Sequence, residues 1–334
     1  MTTTDNFLLP LLADRDPDAP LAWRAGVPVS TRQFLADVAR FAPELPEDGP
    51  AVNLCVDRYA FAVSLGAALV RGHASLLPPD ARPDTLARLV EAGGPRLVAL
   101  TDDPKLQTPG MRRVLIEDRS SLEGDASGAV PQINAGMHAV SLLTSGSTGV
   151  PQPHAKTWGT LVGDVAVAVK RLCRVLGRSS LEGLTLVATV PVQHSYGIES
   201  SALLAMLGGA AFESGRPFFP ADVAQTLASV PRPRALVTTP FHLKTLLLSG
   251  IALPPVDLIL SATAPLSPQL ALQAEQAMGA VLLEIYGSTE SGQVATRRTT
   301  ESEVWETFGD IRVHAEPGEG GGPERFIFSG DFIP

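Results

Sequence analysis

Several large classes of protein are excluded by what this sequence has little of. It has two cysteines in 334 residues, Cys55 and Cys173, both among apolar neighbours. Two cysteines cannot staple a chain of this length, so no disulfide framework is expected, and both read as reduced core thiols of a cytoplasmic protein. Basic residues are outnumbered, 26 Lys and Arg against 35 Asp and Glu, and they form no cluster. The electrostatic footprint of a nucleic-acid binder is therefore missing. Long apolar runs are missing too. The most apolar stretch, Tyr59 to Val70, is too short to span a bilayer and is closed by Arg58 and Arg71. Met1 to Asp5 has neither the basic nor the apolar region of a signal peptide.

What is present is a hydrophobic share of 45%, enough for a large core and at least two subdomains. Ser30-Thr31-Arg32-Gln33 offers a capping box before Phe34, Leu35, Val38 and Phe41 at helical spacing. Strands are expected at Ala51 to Val56, Arg96 to Leu100, Leu184 to Val190, Ala235 to Thr239, Asp257 to Ala262 and Val281 to Tyr286. Helices are expected at Ala60 to Val70, Thr85 to Ala92, Thr157 to Leu176, Ser195 to Leu207, Phe241 to Ser249 and Ser267 to Met278. That alternation predicts an α/β fold of parallel sheets with crossover helices, in two lobes over residues 1–298. From Thr299 to Pro334 short alternating runs flank Gly318 to Gly322, which is hairpin material for a partial β subdomain.

Four segments gather chemistry. In Leu142 to Pro151 an apolar run breaks into Thr144-Ser145-Gly146-Ser147-Thr148-Gly149. Glycines let backbone amides turn toward one point, and small hydroxyls add donors without bulk, so the loop can cradle phosphate oxygens. It lacks the Lys-Ser/Thr ending of the GxxxxGK[ST] loop, and a solvated Ser/Gly turn reads equally well. The other three segments follow predicted strands, where α/β proteins place ligands. His194 lies in Pro191 to Gly197, which alone reads as a packed or solvent-facing histidine. Ser261-Ala262-Thr263 precedes a proline turn and reads alone as structural. In Tyr286-Gly287-Ser288-Thr289-Glu290 the carboxylate can either hold Mg²⁺ through oxygen or simply open a solvated loop.

Taken in order, Ser-Gly-Ser-Thr-Gly-x-Pro, His-x-Tyr-Gly, Ala-Pro-Leu and Tyr-Gly-Ser-Thr-Glu resemble the acyl- and aryl-adenylate-forming (AMP-binding) ligases, from about Ser30 onward. The resemblance implies activation of a carboxylic acid by ATP with Mg²⁺, then transfer of the acyl group to a thiol of CoA or an acyl carrier protein. By position, Ser145 to Gly149 would hold the β- and γ-phosphates. His194 would orient the acid, and Ser261, Ala262 and Thr263 would lie along the adenine. Tyr286 would stack on the adenine face, Thr289 would bond the α-phosphate, and Glu290 would bind the metal.

The sequence departs from that pattern where it has Gln152, Pro153 and Trp158 in place of lysine, glycine and histidine. Lys156 either restores the lost charge or is an exposed loop residue, with His154 nearby. The run Pro-Gln-Pro-His-Ala-Lys-Thr-Trp is similar to ligases of bacterial aryl-polyene and xanthomonadin pathways, which implies a hydroxybenzoate-type acid and a carrier protein. Asp331 imitates the family's ribose-binding aspartate but follows Glu290 too closely, and is expected at a strand end. On this reading the ribose aspartate and the domain bearing the catalytic lysine are absent, and the chain is the N-terminal part of a longer enzyme. The alternatives are a non-catalytic acid- or nucleotide-binding module of the same fold and, last, a serine hydrolase. The latter lacks a Gly-x-Ser-x-Gly elbow, and Ser195 is adjacent in sequence to His194.

Overall fold

Short apolar runs bounded by turns form strands buried on both faces, and the helices between them cover those faces. The computed structural model describes residues 7–93, 96–117, 129–145, 151–316 and 325–330. Among these, two sheets dominate. The first has six strands in the order Pro151–Thr157, His138–Ser145, Ser75–Leu77, Ala51–Asn53, Val98–Thr101 and Arg112–Leu115. All its pairings are parallel except that of Pro151–Thr157, which folds back along His138–Ser145. The second has nine strands. Its parallel centre runs Val281–Ser288, Leu258–Ser261, Arg234–Thr238, Thr185–Ala188, Ala211–Glu213 and Pro20–Arg24. Antiparallel strands Gly292–Arg297 and Glu306–Thr307 finish one edge, and Val27–Ser30 the other. This is the α/β architecture expected from the alternation of elements.

Several strands were not in the sequence reading, among them Ser75–Leu77, Arg112–Leu115, Ala211–Glu213 and Gly292–Arg297, and two more come from segments read otherwise. Pro20–Arg24 comes from the proline- and aspartate-rich lead yet joins the second sheet beside Ala211–Glu213. Pro151–Thr157 was expected as loop. Its prolines are tolerated because it is an edge strand, where a missing N–H faces no partner. Beyond Thr299, Glu306–Thr307 belongs to the large sheet, and Arg312–Glu316 pairs with Arg325–Ser329 as a separate hairpin.

The helices follow their local signals. Ser30 and Asp57 accept hydrogen bonds from Gln33 N and Ala60 N at the starts of Thr31–Phe41 and Arg58–Val70. Thr157 caps Trp158–Leu176, and Gly177 ends it at a φ of +63°. Arg58 is not a flanking charge. It is buried between the sheets, and its five N–H groups reach Ser201 Oγ and the carbonyls of Glu213, Gly215, Ala188 and Val190. Among the described residues no helix is long and apolar enough to cross a membrane.

Candidate functional site

The two sheets direct several strand ends toward one another, and a cavity of about 340 Å³ lies between them. From the first sheet comes Thr144, at the end of His138–Ser145. Ser145 completes that strand, and Gly146, Ser147, Thr148 and Gly149 lie outside the described residues. From the second sheet, Gln193, His194 and Ser195 follow Thr185–Ala188, and Ala262 and Thr263 follow Leu258–Ser261. Gly287 and Ser288 end the strand Val281–Ser288, and Thr289 opens the turn after it. The strand-end segments singled out in the sequence are thus brought to one cavity.

Local chemistry explains how these segments hold their places. Gly197 lets the chain double back over Pro191, since a Cβ there would overlap the Pro191 carbonyl. The Tyr196 hydroxyl donates to the carbonyls of Leu260 (2.9 Å) and Thr238 (3.1 Å), tying the His194 loop to the ends of two neighbouring strands. Burial keeps that phenol neutral by raising its pKa. Thr263 has a φ of +80°, a left-handed conformation unusual for a β-branched residue and a sign of stored strain.

Not every predicted residue reaches the cavity. Ser261 is fully buried, and its hydroxyl finds no hydrogen-bond partner, so the edge of the cavity falls to Ala262 and Thr263. Tyr286 is half exposed. Its ring meets Trp305 (centroids 5.6 Å apart) and Phe328 (5.9 Å) rather than lining the wall. Glu290 has a side chain 64% exposed, with its carboxylate 3.6 Å from His154 Nε2. Hydrogen bonding from Ser288 keeps this carboxyl below its ordinary range, helped by the fields of His154 and Lys156. His154 Nε2 also lies 3.1 Å from Thr144 Oγ1, so one imidazole connects the two hydroxyl-rich segments.

The exposed-loop alternative for Lys156 is corrected by its place in the strand. In Pro151–Thr157 the period of two turns Pro153, Ala155 and Thr157 outward and Lys156 inward, leaving it 1% exposed. Its Nζ donates to the Glu290 carbonyl at 3.2 Å, behind the cavity wall. Two carboxylates that the sequence reading missed accompany it. Glu199 lines the cavity, is 5% exposed, and accepts from Ser195 Oγ at 2.7 Å. Burial raises its pKa against the opposing field of Lys156. The helix around Glu199 is wound wide from Ile198 to Leu203, a distortion frequent at functional sites. Asp164 is pushed up to about 8 by burial and by Glu199, and its Oδ2 is buried without a partner. Each acid stands nearly alone in an apolar helical run, and that isolation was the available signal.

Among the described residues the cavity is lined by the hydroxyl-bearing Thr144, Ser195, Ser288 and Thr289, and the exposed carboxyl of Glu290 follows Thr289 directly in the chain. Among the described residues no three His, Cys, Asp or Glu side chains gather as a complete metal cage. Glu290 alone, ionised and exposed, suits a cation that keeps waters and takes its remaining oxygens from a ligand's phosphates, as Mg²⁺ does.

Fold and strand-end cavity together define the N-terminal α/β fold of the adenylate-forming ligases. In solved structures it superposes on o-succinylbenzoate CoA synthetase (MenE) from Bacillus subtilis in complex with its acyl-adenylate intermediate. The TM-score is 0.80 at 16% identity, over 98% of this chain and 70% of that one. ATP-bound MatB from Rhodopseudomonas palustris gives a TM-score of 0.76 at 16% identity, over 96% and 69%. The family model for AMP-binding enzymes matches residues 12–314, and the chain belongs to that family. Among curated proteins it is 32% identical over 155 residues to a 4-coumarate--CoA ligase of Rhodobacter capsulatus, covering 46% of this chain and 38% of that protein. It is also 32% identical over 177 residues to a 4-coumarate--CoA ligase of Halorhodospira halophila, covering 52% and 41%. The matches therefore span about two fifths of these relatives' length.

Proposed function

We propose that this protein activates a carboxylic acid, an aryl acid such as a hydroxybenzoate, by forming an acyl-adenylate from ATP. The acyl group is then passed to a thiol of CoA or of an acyl carrier protein. The observation that carries this reading is the convergence of Thr144, His194, Ala262, Thr263, Ser288 and Thr289 on one cavity, in a chain of the AMP-binding family. The curated relatives named for 4-coumarate support an aryl acid.

In this reading a carboxylate oxygen of the acid attacks the α-phosphorus, the bond to the β-phosphate bridge breaks, and pyrophosphate leaves. The thiol sulfur then attacks the acyl carbon, and AMP departs with the bonding pair. The acid is already a competent nucleophile, so the protein's work is positioning and charge stabilisation. His194 orients the acid, and Thr289 donates to the α-phosphate. Ser145 to Gly149 hold the outer phosphates, with Ala262 and Thr263 beside the adenine. Glu290 would hold Mg²⁺, which neutralises phosphate charge when bound. Lys156 acts from behind, fixing the Glu290 backbone rather than touching phosphate.

The test is calorimetric titration with a non-hydrolysable hydroxybenzoyl-adenylate mimic, with AMP titrated separately. Binding of the mimic at micromolar strength, about −8 kcal/mol, is expected. No heat from either ligand would overturn the adenylate reading. Binding of AMP alone would retain the nucleotide site and overturn the aryl acid.

A further inference from the structure

The turn that follows Val281–Ser288 has its backbone fixed from several sides. Ser291 N donates to Ser288 Oγ at 3.2 Å, and Ser288 N donates to Ser291 Oγ at 3.2 Å. Gly287 lies so close to Gly292 that a Cβ there would overlap the Gly292 carbonyl, and Lys156 Nζ donates to the Glu290 carbonyl at 3.2 Å. The Glu290 side chain is less constrained. It is 64% exposed, and a glutamate in water samples many rotamers. What faces it comes from the edge strand Pro151–Thr157, where the period of two puts Gln152, His154 and Lys156 on one face. His154 Nε2 lies 3.6 Å from Glu290 Oε1 and 3.1 Å from Thr144 Oγ1, and Thr144 lines the cavity. One strand face thus meets Glu290 twice, at its carbonyl through Lys156 and at its carboxylate through His154.

From this geometry we infer that His154 is a positioning residue for the metal carboxylate. Its Nε2 holds the Glu290 side chain beside Thr144, at the lip of the cavity, ready for the Mg²⁺ of a bound nucleoside triphosphate. The imidazole engages Oε1 and leaves the other carboxylate oxygen for the cation, so the two do not compete. Thr144 fixes the ring in turn through its hydroxyl. A carboxylate that is already ordered loses less freedom when a metal binds, and outer partners of this kind commonly change metal affinity by about 10–100-fold. In this role His154 touches neither metal nor phosphate and acts through Glu290. The inference rests on the adenylate reading above, within which Glu290 holds the metal.

The test is calorimetric titration of ATP with excess Mg²⁺, of ATP with EDTA, and of AMP, on the wild-type chain, His154→Val and His154→Gln. Valine suits a strand but carries no polar side-chain atom, whereas the glutamine amide presents a nitrogen donor near the place of Nε2. The wild type is expected to bind ATP more tightly with Mg²⁺ than with EDTA. His154→Val should weaken Mg²⁺-ATP binding by about tenfold and leave AMP and ATP in EDTA unchanged, while His154→Gln should keep most of the wild-type affinity. In a Glu290→Gln background His154→Val should have no further effect. Unchanged Mg²⁺-ATP affinity in His154→Val would overturn the inference, as would wild-type ATP binding that ignores Mg²⁺. An equal loss of AMP would also overturn it, making His154 a scaffold residue. So would a loss in His154→Gln as large as in His154→Val, or a further loss in the Glu290→Gln background. Each of these outcomes leaves the adenylate reading standing, whereas no binding of either nucleotide to the wild type would overturn both. Should His154→Val fail to fold, His154→Leu supplies a second side chain without a donor.

Discussion

Arg58 and Lys156 are both fully buried cations, yet their surroundings are completed in opposite ways. Each of the five N–H groups of Arg58 has an acceptor, one hydroxyl and four carbonyls, all in the second lobe. Burial lowers its pKa only to about 10, so it stays charged. Lys156 has the Glu290 carbonyl, and beside it two carboxyl groups with raised pKa values, one carrying an oxygen without a partner. A closed polar network joins parts of a protein, whereas an open one on a cavity wall is available to a ligand. The difference separates a cation whose every donor is met from one that shares its surroundings with partly satisfied acids.

The comparison can be broken most severely at Arg58. Arg58→Met leaves buried carbonyls without donors and is expected to remove about 3–5 kcal/mol of unfolding free energy in a urea titration. A loss below about 1 kcal/mol would mean the lobes are held by apolar contact alone.

A smaller effect of opposite sign is expected at the open cluster. Asp164 has a native pKa of about 8 against an ordinary value of 3.8, so between these the folded state keeps a proton that the unfolded state releases. Stability from this group is therefore lost as pH rises through that window. Asp164→Asn removes the loss, and its melting temperature should exceed that of the wild type by about 2–4 °C at pH 8. The advantage should shrink toward zero near pH 4. A difference independent of pH would show that Asp164 is not held protonated.

The smallest effect is local. Thr263→Gly relieves the left-handed strain at the cavity edge, partly offset by the extra freedom of glycine when unfolded, for a net gain of about 0.5–1 kcal/mol. Thermal unfolding would detect it, and a loss of stability would mean that the threonine side chain holds the turn.

Much of the frame was legible because it is written locally. Strand–helix alternation located the parallel sheets, and turns after strands pointed to the cavity before any distance was known. What was illegible depended on partners distant in sequence. Lys156 reads as a loop lysine until the pairing of Lys156 with Val140 turns it inward. Arg58 reads as the polar end of an apolar helix until Glu213 and Val190 arrive to accept from it. Ser261 lies in the expected segment, but strand alternation turns its hydroxyl into the protein. Glu199 was passed over because an acid in an apolar helix carries no motif.

The strand Pro20–Arg24 bears on how the chain reaches this structure. It is made before the whole of the first sheet, yet its neighbour Ala211–Glu213 comes after it. The nine-stranded sheet therefore stays open along Ala211–Glu213 until the early segment returns, and such distant pairing is slow to form. Until then that edge offers unpaired backbone to any other strand, a template for association between chains. The lobes are thus interlocked rather than strung in sequence. A division of the gene between them would yield two fragments, one lacking its partner strand and the other carrying an uncovered edge.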